Sequence, residues 1–279
     1  MENKKIARVF PRRTRATPDD SLAFTTAPPK INPPEIDEVH ISVAFTYDME
    51  RAEKLADEWR VLGVPVRMGG PAFQEPGGDF IPGMYVKKGY VITSRGCPNR
   101  CWFCAVPKRE GDKLRELPIT EGYNVLDDNL LACSEQHIRA VFDMLMKQDT
   151  PPVFTGGLEA RLLRPWHVDL MRKAKTRRMY FAYDTPDDYE PLVVAGEMLR
   201  EGGFSKASHS AVCYVLIGYP GDTMEAAEMR LFDTWNAGFL PFAMLYRNEA
   251  GEVDVEWKRF QRLWVRPEII CRRMRDSQN

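Results

Sequence analysis

No apolar run in this sequence approaches the roughly 20 residues that a membrane-spanning helix needs. The first twenty residues, MENKKIARVFPRRTRATPDD, carry charge but no apolar stretch, so they do not read as a secretory signal. A cytoplasmic protein without membrane contact is the resulting expectation. There is no excess of charge of either sign: the formal net charge is -1. An overall basic nucleic-acid binder is therefore not indicated. Evenly spaced cysteines are also missing. Of six, three crowd between residues 97 and 104, and the others stand apart at 133, 213 and 271. A disulfide-stapled secreted scaffold is excluded by that pattern.

What is present suits a globular chain. Its 279 residues are 44% hydrophobic and 28% charged, enough for one large domain, or for one domain plus a small appendage. Residues 1–37 are rich in Pro, Arg, Lys and Thr and read as an irregular arm. Residues 38–85 read as a small β-α-β unit. Val39 to Phe45 is a strand candidate, Asp48 a cap for a helix from Met49 to Leu62, and Val64 to Arg67 a return strand stopped by Gly69-Gly70-Pro71.

Residues 86–250 show a second rhythm. Strand candidates are Gly89–Thr93, Tyr123–Leu126, Pro152–Phe154, Met179–Tyr183, Ala211–Ile217 and Phe239–Leu245. Helix candidates are Glu135–Lys147, Trp166–Lys175, Pro191–Arg200 and Met224–Trp235. Units of about 30 residues are the size of a βα repeat. The expected fold is α/β: a partial (β/α)6 TIM-like barrel preceded by the small β-α-β unit. Its site should gather at the carboxyl ends of the strands. Residues 251–279 read as a helical tail that packs aromatics on the barrel and ends in solvated Arg266, Arg272, Arg273 and Arg275.

The crowded cysteines follow the first of these strands. Cys97, Cys101 and Cys104 have the spacing C-x3-C-x2-C. So short a loop can wrap one small inorganic object, and thiolates suit an iron–sulfur cluster or zinc. Structural sites usually have four ligands, and only three are local here. Three thiolates on a cluster leave one iron open, which is a requirement for chemistry. The competing expectation is a zinc site completed by Cys133 or a histidine such as His137, in a binding protein without turnover.

The loop resembles the signature of the radical S-adenosylmethionine superfamily, over roughly residues 86 to 247. That resemblance implies a [4Fe–4S] cluster on the three cysteines, with S-adenosylmethionine bound to the open iron. It implies reductive cleavage to a 5′-deoxyadenosyl radical, hydrogen abstraction from a substrate, and an external electron donor of flavodoxin or ferredoxin type. Phe103, before the last cysteine, is expected near the adenine.

Motifs at later strand ends fit the same cofactor. Asp127 and Asp128 end the second strand as acceptors for an ammonium group, or as turn residues. Gly156-Gly157-Leu158-Glu159 follows the third strand and resembles the family's Gly-Gly-Glu stretch, shifted by one strand and one residue. Either this segment or the Asp127–Asp128 pair is expected to hold the amino group. Asp184 ends the fourth strand, toward the ribose or methionine part. Gly218-Tyr219-Pro220-Gly221-Asp222-Thr223 ends the fifth and resembles a stretch beside the adenine in cobalamin-associated and methylthiotransferase-like branches. Thr223 also suits a helix cap. His40, His167 and His209 read as ordinary structural or surface residues.

Val39 to Pro71 resembles the end of a cobalamin-binding domain. The Asp-x-His-x-x-Gly segment is missing and the chain before residue 38 looks too short for more strands, so no cobalamin is expected. No second cysteine cluster is present. Nucleic acid remains a partner suggested only by the basic arm and the Arg-rich tail.

Overall fold

The computed structural model describes residues 4–248 and 250–276. Two parallel sheets organise them. The smaller has four strands: β1 (Ile6–Val9), β2 (Ala23–Phe24), β3 (Glu38–Ser42) and β4 (Val66–Gly69), in the order β2-β1-β3-β4. The expectation of an irregular arm over 1–37 is corrected here. Ile6–Val9 is an interior strand, and two strands precede residue 38. A run of only four residues between Lys5 and Phe10-Pro11-Arg12 gave no periodicity to detect, and its pairing to Glu38–Ile41 is long-range.

Helix α1 (Met49–Arg60) covers one face of this sheet with Ala52, Leu55, Ala56 and Trp59. These side chains bury against Ala7, Val9, Val39, Ile41 and Val43. The spacing of the four is the helical period, so the apolar stripe faces the sheet. Asp48 precedes the helix without capping it through its side chain. Its carboxylate takes two hydrogen bonds from Arg12 instead, at 3.0 and 2.7 Å. An arginine fork satisfies a carboxylate better than one backbone amide.

The larger sheet contains β5 (Tyr90–Val91), β8 (Asn124–Val125), β9 (Val153–Phe154), β10 (Arg178–Ala182), β11 (Ala211–Ile217) and β12 (Leu240–Leu245). All are parallel and lie in sequence order, and β5 and β12 form its two edges. Between β5 and β8 stands an antiparallel pair, β6 (Ser94–Arg95) with β7 (Arg115–Glu116), with the short helix α2 (Val106–Glu110) in its loop. Helices α3 (Glu135–Leu145), α4 (Pro165–Lys173), α5 (Tyr189–Glu201) and α6 (Met224–Asn236) alternate with the strands. Their apolar faces join one continuous core with Val125, Phe154, Phe181, Val215 and Ala243. The C-terminal tail is two helices, α7 (Val255–Arg262) and α8 (Pro267–Asp276), the second opening on Pro267, whose missing N–H costs nothing at a first helical position. Trp257, Phe260 and the fully buried Trp264 pack on the core. No helix among the described residues is long and apolar enough to cross a membrane.

Chain reversals rest on side-chain caps. Ser134 accepts from the His137 amide at the start of α3, and Thr223 from the Ala226 amide at the start of α6. At α4 the cap is His167, whose Nδ1 accepts from the Arg164 amide at 3.1 Å. Burial, with Arg164 nearby, pushes its imidazole down to about 4. The unfolded chain, near 6.5, binds the proton more readily between these values. Stability due to neutral His167 is therefore complete above pH 6.5 and is lost as pH falls toward 4, by up to about 3 kcal/mol. Urea midpoints at pH 7 and pH 5 should show this decline, and His167→Gln should flatten it.

Candidate active site around the cysteine loop

The cysteine loop leaves the first strand of the large sheet through Thr93 and Ser94. Both are fully buried. Asp127, 1% exposed, holds them from the end of β8. One carboxylate oxygen accepts from the Thr93 amide at 2.6 Å. The other accepts from the Thr93 hydroxyl at 2.5 Å and the Ser94 hydroxyl at 2.8 Å. His137 joins from α3, with Nε2 3.2 Å from the Thr93 hydroxyl. Burial pushes the Asp127 carboxyl up, against these donors.

The next two residues reach the loop itself. Asp128 accepts from the Gly96 amide at 2.8 Å and from Arg109 at 3.0 Å. Asn129 Nδ2 donates to Glu159 at 2.7 Å and lies 3.4 Å from Cys97 Sγ. Asn99, inside the loop, donates to the same Glu159 oxygen at 2.9 Å. Glu159 thus stands beside the loop through two amides. Its other oxygen accepts no hydrogen bond among the described residues, and the buried Asn129 Oδ1 likewise lacks a donor.

Gly156 is required where it stands. A Cβ there would lie 2.1 Å from the Asp127 carbonyl oxygen, so only glycine lets β9 end against the Asp127–Asp128 backbone. Gly157 has φ +99° and open space around its Cα. The pair turns the chain so that Glu159 faces the cysteines.

From the far side of the sheet, Asp184 accepts from the Leu216 amide at 3.0 Å. Burial pushes its carboxyl up to about 7, with Asp188 contributing. Its charge is felt at Cys101, whose thiol is raised to about 11 by partial desolvation and by Cys104, Cys97, Asp184 and Asp188. Gly218 donates its amide to Asp222, which is itself paired with buried Arg230. That turn presents Tyr219 to Trp102 of the cysteine loop, ring centres 5.7 Å apart. Trp102 also meets Phe103 at 5.4 Å and Tyr246 at 5.8 Å. Pro220 is exposed at the tip of the turn.

The structure therefore gathers Asp127, Asp128 and Glu159 along residues 93–99 at the start of the cysteine loop, with Gly156 against the Asp127 backbone, and brings Phe103 and Tyr219 together through Trp102. Asp127 is placed within the scaffold, with both oxygens occupied by the loop's own root. Sequence reading missed Asn99, Asn129 and Trp102. Asn99 offered a signal, being a polar residue between two candidate ligands. Asn129 offered one only as the third member of an Asp-Asp-Asn run.

The remaining cysteines lie elsewhere. Cys133 and Cys213 are buried in the core, and Cys271 sits 3.7 Å from His209. Neither Cys133 nor His137 joins the three-cysteine loop: the first lies beside Ser94 and the second beside Thr93. Among the described residues, no three His, Cys, Asp or Glu side chains converge on one metal ion. A cluster asks for a wider spacing than one ion does, since each thiolate binds a separate iron. Three thiols on one loop, with the Asn129 amide donating toward Cys97 Sγ, are a donor set that suits such a group.

No known family profile matches the chain, and no curated protein is similar to it. Among solved structures, the chain is similar in fold to the radical S-adenosylmethionine methyltransferase TsrM from Kitasatospora setae, solved with cobalamin and a [4Fe–4S] cluster bound. The identity is 14% and the TM-score 0.58, over 78% of this chain. The match spans 66% of the length of that protein.

Asp127→Ala should destabilise the cofactor-free protein by about 2 kcal/mol or more, because three buried donors lose their acceptor. Glu159→Gln should change stability by less than about 1 kcal/mol. Chemical denaturation of the two variants separates a scaffold acid from an acid held ready for a ligand.

Proposed function

We propose that this chain is a radical S-adenosylmethionine enzyme. The observation that carries the reading is the three-cysteine loop at the carboxyl edge of a six-stranded parallel sheet, with Glu159 beside it. The fold likeness to TsrM supports it. On this reading the sheet is a partial (β/α)6 TIM-like barrel, formed by residues 86–250.

Cys97, Cys101 and Cys104 would hold a [4Fe–4S] cluster. Bound there with S-adenosylmethionine, and reduced by a flavodoxin- or ferredoxin-type donor, it would supply cleavage to a 5′-deoxyadenosyl radical that abstracts hydrogen from substrate. The chain's own residues have distinct tasks. Asp127 and Asp128 fix the loop at Thr93, Ser94 and Gly96. Asn129 donates toward Cys97 Sγ. Glu159, rather than Asp127, receives the amino group of S-adenosylmethionine: one of its oxygens is open, whereas both of Asp127's are engaged. Gly157 lets the backbone approach the ligand. Phe103 and Tyr219 flank the adenine, with Gly218 and Pro220 shaping that wall. Asp184 meets the ribose or methionine part.

Cobalamin, bound in TsrM, is a different case. The cavity at the carboxyl edge of the small sheet holds about 490 Å3, within the range for drug-sized ligands and small for a corrinoid. The Arg12–Asp48 ion pair also joins its walls. The residues do not fit that cofactor.

Anaerobic reconstitution should give a brown protein with about four irons per chain and a spectrum that changes on adding S-adenosylmethionine. With dithionite it should form 5′-deoxyadenosine. Cys101→Ala should abolish that product, and Glu159→Gln should raise the S-adenosylmethionine concentration required by roughly tenfold or more. A colourless, zinc-loaded preparation with full activity would overturn the reading.

A further inference from the structure

The small sheet has a topological switch. Strand β1 lies between β2 and β3: the chain steps from β1 to one side, then returns to the other. In open parallel sheets, ligands bind in the crevice outside the carboxyl ends of two such strands. The cavity of about 490 Å3 is found there, lined by Pro11 after β1, Ser42 at the end of β3 and Gly69 at the end of β4. Its far wall is the root of the cysteine loop, Ile92 and Arg95, with Arg109 and Glu110.

Charge in that wall does not balance. Glu110 has no exposed side-chain surface, and three guanidiniums meet it: Arg115 at 2.6 Å, Arg109 at 3.0 Å and Arg95 at 3.5 Å. Asp128 engages Arg109 as well, at 3.0 Å. Among the described residues these are three cations against two anions. Both Glu110 oxygens also accept from the Gly77 amide. Arg95 is the poorest served. Among the described residues its guanidinium makes no hydrogen bond, its ion pair with Glu110 is the longest of the three contacts, Asp128 acts on it from farther away, and its side chain is 16% exposed. A mostly buried cation that shares its counter-ion with two others is costly and is favoured by a further anion. The other lining acids do not supply one: Asp48 is taken by Arg12, while Glu75 and Asp79 are exposed. Phe10, Ile41, Met68, Val86 and Ile92 supply the apolar part of a mixed lining that also includes His40, Tyr85 and the Arg12–Asp48 ion pair.

We propose that this cavity binds a small organic anion, an apolar body bearing a carboxylate or a phosphate monoester, with its charge against Arg95. The inference does not depend on the cluster. It adds to the chain a second binding site, placed at the root of the first: Arg95 leads directly into Gly96 and Cys97, and Arg109 reaches through Asp128 to the Gly96 amide.

Calorimetric titration of the full chain with benzoate, phenyl phosphate and neutral benzyl alcohol tests it. At least one anion should bind with a Kd of about 1 mM or tighter, a reasonable value for so small a ligand, and benzyl alcohol should bind at least tenfold more weakly. Comparing the two anions tells carboxylate from phosphate. Arg95→Gln should weaken binding by roughly tenfold or more. Ala44→Trp fills the cavity from an exposed position on its lining and should have a comparable effect. If circular dichroism shows that Arg95→Gln does not fold, Ala44→Trp decides alone. No anion binding, equal binding of benzyl alcohol, or binding untouched by Ala44→Trp would each overturn the proposal.

Discussion

The buried carboxylate of Asp127 is the interaction on which the site depends. It joins the end of the second strand of the large sheet to the root of the cysteine loop, through one amide and two hydroxyls. The two residues after it extend the same junction, Asp128 to Gly96 and Asn129 to Cys97. Three consecutive side chains can all reach one loop because β8 has already ended there. The chain is no longer pleated, so successive residues need not point to opposite faces. A loop held at three successive points is preorganised, and a metal site depends on such outer support as much as on its ligands.

A second constraint comes from the two sheets meeting. The carboxyl edge of the small sheet turns toward the cysteine loop, and the connection is made by stacked charge and aromatic surface. Arg12 and Arg247 both lie over the Tyr47 ring, with centroid distances of 5.3 and 5.0 Å. Gly251 packs against the same residue so closely that a Cβ would lie 2.4 Å from the Tyr47 Cβ. Glu110 reinforces the join from below, tying Gly77 to α2 and β7. The small unit is therefore fastened to the loop through buried ions, which fix geometry more than they add stability.

Much of the fold was legible beforehand. The six strands of the large sheet and the four main helices fall within a few residues of their expected places, because each carries its own period and its own breakers. Thr223 capping α6 was readable for the same reason: a cap acts within three residues. Ile6–Val9 was not readable, since four residues define no period and the strand exists by pairing with the distant residues 23–24 and 38–41. Asp48 was misread as a helix cap because its partner, Arg12, is 36 residues away.

The sequence by itself determined that three cysteines stand within eight residues, since C-x3-C-x2-C is a local arrangement. It also determined that acids and glycines would stand at strand ends, because turn-forming residues mark those ends. Only the tertiary structure decided what each acid does. Asp127 and Glu159 are both carboxylates near one loop, alike in one dimension. In three, Asp127 is enclosed with three donors, while one Glu159 oxygen accepts from Asn99 and Asn129 and the other accepts no hydrogen bond among the described residues. Burial and partners are properties of packing between distant segments, and no spacing along the chain encodes them. The same holds for Arg95, an ordinary residue in the sequence, which the fold places in a cavity wall with less negative charge around it than it needs.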